Sequence, residues 1–186
     1  MSSLAMSAQS PTPSPTPQRF NVYIVRDGPI MADPDLPGVR YHNTILVETG
    51  ADGSGVIHHV TGDLVLGFHY ERKESPPPEL SPTFYSKEFF GTVLASAHPV
   101  AFDQVCEAQP PPPRQKAFNM ATMKTEPFKA DGSFYQPGEQ SRPLVKCTEW
   151  TERQAMPALF RSNVVQRTHA VTLEPSSAAS SDLSSR

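Results

Sequence analysis

The sequence predicts an α+β fold over residues 19–170, a small antiparallel sheet with helices packed on it. Three observations carry that prediction. Short runs rich in β-branched and aromatic residues, separated by Gly and Pro, fill the first half. An apolar stripe at helical spacing stands near the end. Pro-, Ser- and Ala-rich segments flank both, over residues 1–18 and 171–186, and are expected to be disordered arms. With the arms set aside, about 150 residues remain, enough to bury one sizeable core.

Phe20 to Val25 reads as the first strand, closed by Asp27-Gly28-Pro29. Tyr41 to Thr49 and Val56 to Val60 read as a hairpin around the loop Gly50 to Gly55. Gly67 to Glu71 adds a fourth strand before Pro76-Pro77-Pro78. From Ser81-Pro82, the spacing of Phe84, Phe89, Phe90 and Val93 predicts a helix, and a short second helix is expected from Pro99 to Ala108. Residues 114–142 show no period and read as a covering segment with room for one short strand. The clearest helix starts at Thr148 and carries Trp150, Met156, Leu159 and Phe160 on one stripe, with Pro157 expected to kink or end its first part.

The net charge of -3, with sixteen scattered Lys and Arg, lacks the basic footprint of a nucleic-acid binder. No run approaches the roughly 18 to 20 apolar residues of a membrane span. Residues 1–17 lack the basic start and apolar run of a secretory signal, which predicts a cytoplasmic protein. The only two cysteines, Cys106 and Cys147, are 41 residues apart, without metal-type spacing. No phosphate loop and no metal constellation stands out, and no cofactor is expected.

Cys147 directly precedes the last helix, where unpaired backbone N–H groups favour a thiolate. The alternative is a small packed residue, the reading given to Cys106. A nucleophilic cysteine needs a base, and the base an orienting partner. His42 heads one hairpin strand and His58 ends the next, and alternation lets the two share a face, with His59 pointing the other way. Trp150 and Glu149 would then border the substrate, Trp150 as a pocket wall or else as core, Glu149 also as a complement to the helix dipole. Asp63 is either a histidine partner or a turn residue, and His98 before Pro99 looks like a helix entry.

The segments Tyr41-His42-Asn43-Thr44-Ile45-Leu46-Val47, Val56-Ile57-His58-His59 and Lys146-Cys147-Thr148-Glu149-Trp150 together resemble the circularly permuted papain-like fold, in particular its NlpC-type and lecithin:retinol acyltransferase-like groups. The resemblance implies a cysteine-dependent acyl hydrolase or acyltransferase acting on an ester, amide or thioester of a small molecule or peptide. Cys147 would be the nucleophile, His42 the general base and His58 its orienting residue. Thr-Glu-Trp follows the cysteine where the family usually has Glu-His-Phe, which leaves the substrate open. The texture is also similar to small proteins of filamentous fungi, some of which accompany secondary-metabolite genes. Two other functions remain open: a non-catalytic binding or accessory protein of the same fold, and a cofactor-free acid–base enzyme of secondary metabolism using the histidines and Glu149.

Overall fold

A computed structural model describes residues 17–28, 36 and 38–173. The fold is α+β, and its centre is a six-stranded, wholly antiparallel, curled sheet with strand order β4-β3-β2-β1-β5-β8. Five strands are long enough to define its faces: β1 Arg19–Asp27, β2 His42–Glu48, β3 Gly55–Asp63, β4 Gly67–Ser75 and β5 Phe84–Leu94. The first four coincide with the β-rich runs of the sequence, and β4 stops at Pro76, which has no N–H to give to a ladder. The arms lie almost wholly outside the described residues. Val171, placed by sequence in the C-terminal arm, is nonetheless held to β1, where the Asn21 side chain accepts its N–H and donates to its carbonyl, both at 2.8 Å.

The helix expected from Ser81 to Val93 is instead β5, an eleven-residue strand along β1. A register shift explains the false helical spacing. Val22 pairs with Gly91 and Tyr23 with Phe89, so Phe90 is the extra residue of a bulge and neighbouring phenylalanines turn to opposite faces. Phe90 packs on Phe160 of the last helix at 4.4 Å, while Phe89 meets Tyr23 at 5.8 Å.

Helix α1, Val100–Glu107, forms where expected. The covering segment holds two short strands in place of one, β6 Lys116–Asn119 and β7 Lys124–Pro127, paired as a separate hairpin. The last helix runs as α2 Cys147–Trp150, a π turn Thr151–Ala155 and α3 Met156–Arg161. Pro157 therefore does not end it. The wider π turn just before the proline makes room for a ring that would otherwise strike the carbonyl four residues back. Two residues, Val165–Gln166, form β8 against Thr92 and Val93, too short a strand for any sequence pattern to mark.

The core lies between one sheet face and the helices. Val22, Ile24, Ile45, Val47, Val60 and Val93 point inward from the sheet to meet Phe102 and Cys106 of α1 and Trp150, Ala155 and Leu159 of the last helix. Each buried Val, Ile, Leu or Phe among them contributes roughly 1.5–3 kcal/mol. The opposite face is apolar near β2, with Leu46 and Val25 buried. Pro76, Pro77, Pro78 and Leu80 border a cavity there of about 520 Å³. Among the described residues no helix is long and apolar enough to cross a membrane.

Candidate active site

The strand register decides which histidine meets which. Ile45 lies opposite His58 in the β2–β3 ladder, so Thr44, and with it His42 two residues back, shares a face with His59. In the next ladder His59 lies opposite Glu71, which brings these two side chains to the same face. A continuous path results. His42 Nε2 is 2.9 Å from His59 Nδ1, and His59 Nε2 is 2.8 Å from Glu71 Oε2.

A carboxylate can only accept, so Glu71 fixes His59 as a donor at Nε2 and an acceptor at Nδ1. That acceptor takes the N–H at His42 Nε2 and leaves His42 Nδ1 to deal with a further partner. The Cys147 thiol lines one small cavity with His42, and its Sγ lies 4.0 Å from the Tyr41 carbonyl. Burial pushes this thiol up. The His42 hydrogen bond, the backbone N–H of Asn43, the His42 charge and the Thr148 N–H outweigh burial and hold it below its ordinary value. Glu71 is itself lowered, first by its hydrogen bond from His59.

Thr148 lies in the first turn of α2, where N–H groups have no intrahelical acceptor. The helix start is held by Glu149, whose Oε2 accepts the Lys146 N–H at 2.8 Å. The same carboxylate binds the Arg40 guanidinium through both oxygens, at 2.8 and 3.0 Å. Cys147 is half-buried and opens onto a cavity of about 200 Å³, which Arg40, Tyr41, His42 and Lys146 also line. His42 and Gly28 line the larger Pro-bordered cavity as well.

Of the residues singled out from sequence, Cys147 and His42 come together and His58 does not join them. His58 is turned to the helical face, fully buried, where it belongs to a second path. Its Nδ1 is 2.6 Å from Tyr70 Oη, which donates to Asp103 Oδ1 at 2.8 Å, and its Nε2 is 3.1 Å from His98 Nε2. Arg72 pairs with the other oxygen of Asp103. Burial, then the neighbouring positive charges of His98, Arg72 and His59, hold the His58 imidazole down at about 2. The orienting position beside His42 is filled by His59, which the sequence reading set on the far face.

Trp150 and Glu149 do not line the cavity at Cys147. Trp150 is fully buried and donates its indole N–H to the Gln109 carbonyl at 3.3 Å, so it is core. Glu149 works beneath the surface as helix cap and Arg40 anchor. Asp63 accepts the N–H groups of Val65 and Leu66 and is a turn residue. Cys106 is buried in the core, as expected. Residues 110–140 line neither cavity beside His42. Gln115 pins that segment elsewhere, with its N–H bonded to Leu64 and its side chain to both the N–H and the carbonyl of Val145.

A family model matches residues 30–166, well over half of the chain. The chain belongs to DUF6540, a family of unknown function. No curated protein and no solved structure matches it. Among the described residues no group of three or more His, Cys, Asp or Glu is arranged to hold a metal ion.

Proposed function

We propose that this DUF6540 chain is a cysteine-dependent acyl hydrolase or acyltransferase with a permuted papain-like arrangement, acting on an ester, amide or thioester. One observation carries the reading: a hydrogen-bonded path from Glu71 through His59 to His42, whose ring lines one cavity with a half-buried thiol. Thiol, base, orienting residue and carboxylate follow one another in the order that nucleophilic catalysis needs.

His42 takes the proton of Cys147 as the sulfur attacks. Sγ attacks the substrate carbonyl carbon, a C–S bond forms, and the C=O electron pair moves to oxygen. The backbone N–H of Cys147, in the first helical turn, donates to that oxyanion. As the carbonyl re-forms, the bond to the leaving group breaks and His42 gives its proton to the departing atom. Neutral His42 then takes a proton from water or an amine, which attacks the thioester. The C–S bond breaks and His42 returns its proton to the sulfur.

Reaction with p-nitrophenyl acetate tests this. A burst of nitrophenol is expected, with an acetyl group on the Cys147 peptide in the mass spectrum, and neither in Cys147→Ala. Turnover that survives Cys147→Ala but disappears in His42→Ala would transfer the site to acid–base chemistry. Absence of both burst and adduct in the wild type would favour a binding protein.

A further inference from the structure

Around the larger cavity beside His42, the polar groups are bonded to one another. Its floor is the sheet face that carries Val25, Ile57 and His59, and its wall comes from residues 76–83, which connect β4 to β5. Pro76, Pro77 and Pro78 have no N–H to offer. The Pro77 and Pro78 carbonyls accept the N–H groups of Leu80 and Ser81, at 3.0 and 2.9 Å, and the Pro76 carbonyl accepts the Ser75 hydroxyl at 2.9 Å. Thr83 and Ser81 share a hydrogen bond at 3.1 Å, and the Thr83 hydroxyl donates to Asp27 at 3.4 Å. Lys73 pairs with Glu71 at 3.7 Å, the carboxylate that also holds His59.

A polar group entering such a space gives up water and finds few partners in return. An apolar group instead covers Val25, Ile57, Leu80 and the three prolines, and is favoured by the water it releases. The volume, about 520 Å³, lies inside the roughly 300–1,000 Å³ of small-molecule sites. Gly28 and His42 belong both to this lining and to that of the cavity at Cys147. Resting on the thiol reading above, we propose that one half of the substrate is an uncharged apolar group of several carbons, seated between Ile57 and the proline wall, while the reacting carbonyl lies past His42 at Cys147.

Iodoacetamides with N-alkyl chains of increasing length, from none through ethyl and butyl to hexyl, test this without knowledge of the substrate. The readout is the rate of each at Cys147, measured on its peptide by mass spectrometry and divided by the rate of the parent iodoacetamide in the same protein. That division cancels any general change in thiol reactivity, and the urea-unfolded chain supplies the reference. In the folded protein the ratio is expected to rise about two- to fourfold for each methylene that enters the cavity. A chain of equal length ending in a carboxylate should lose this gain. Ile57→Trp fills the cavity from its floor and should abolish the dependence on length. Leu80→Asp, at a rim position that is 73% exposed, should weaken it with the core intact. Fast iodoacetamide reaction, with the same dependence on length in the folded and unfolded chains, would overturn the apolar site and leave the thiol reading standing. A dependence that survives both substitutions would seat the group elsewhere and overturn the proposal as well. Slow reaction with every agent, the parent included, would remove the thiol reading and this proposal together.

Discussion

Two chains of hydrogen bonds run through the same hairpin on opposite faces, built from neighbouring residues. On one face His42, His59 and Glu71 follow one another. On the other, His98, His58, Tyr70 and Asp103 do the same. Tyr70 donates to Asp103, so its oxygen accepts the His58 Nδ1–H, and His58 Nε2 then accepts from His98. Each chain thus hands its protons toward a carboxylate. The first ends at His42, which lines a cavity together with a thiol. The second reaches His98, whose ring meets Phe20 edge-on at 6.1 Å and Phe102 at 5.8 Å. What separates a candidate reactive site from a structural network is what stands at the end of the chain and whether substrate can reach it.

The sharpest way to break this contrast is to remove the thiol. Cys147→Ala is expected to abolish acyl transfer without unfolding the protein, measured by turnover and circular dichroism. His42→Ala should slow acylation by about 10²- to 10⁴-fold, the usual contribution of a positioned acid–base group. The two adjacent histidines should then behave differently. His58→Ala removes the hydrogen bonds that its ring makes to Tyr70 and His98 and opens a cavity, which costs about 3 kcal/mol or more in urea unfolding. Alkylation of Cys147 in the folded fraction should stay unchanged. His59→Ala should slow that alkylation about 10- to 100-fold. If the two substitutions exchange these effects, the assignment of the faces is wrong.

The same contrast predicts a pH dependence of stability. The imidazole of His58, held at about 2 in the fold, has an ordinary value of 6.5. Between those values the unfolded chain takes up a proton that the folded chain refuses. Stability from this group is therefore complete above about 6.5 and falls as pH drops, by about 1.4 kcal/mol per pH unit. His98, held by burial at about 4, acts in the same sense between 6.5 and 4. Urea midpoints between pH 7 and 4.5 should show this slope, and His58→Gln should flatten it by about one proton. The smallest effect is expected at Glu71, whose side chain is 40% exposed, so solvent screens it. Glu71→Gln should slow Cys147 alkylation only about two- to fivefold, with the pH profile displaced because the neutral amide relaxes the His59 tautomer.

The sheet was legible because its strands are bounded by Gly and Pro and filled with Val, Ile, Tyr and Phe. β5 was not, because the Phe90 bulge broke its alternation into helix-like spacing. Cys147 and His42 were legible from their places, one at a helix start and one at a strand start. The exchange of His58 for His59 was a fault of parity. The loop Gly50 to Gly55 has six residues, and an even loop sets even-numbered residues of one strand beside odd-numbered residues of the next. That signal was present in the sequence. The role of Glu71 was not, since it depends on the pairing of β4 with β3. Trp150 lies in the core with Ala155 and Leu159 of the same helix, on the apolar stripe that the spacing marked.

The central claim is that His42 lowers the Cys147 thiol and serves as its base, and the rate of iodoacetamide reaction at Cys147 as a function of pH tests it most directly. In the wild type the rate should reach its plateau well below the ordinary thiol range near 8.5, and His42→Ala should move that rise upward by at least one pH unit. Superimposable profiles for the two proteins, both rising through the ordinary range, would contradict the claim.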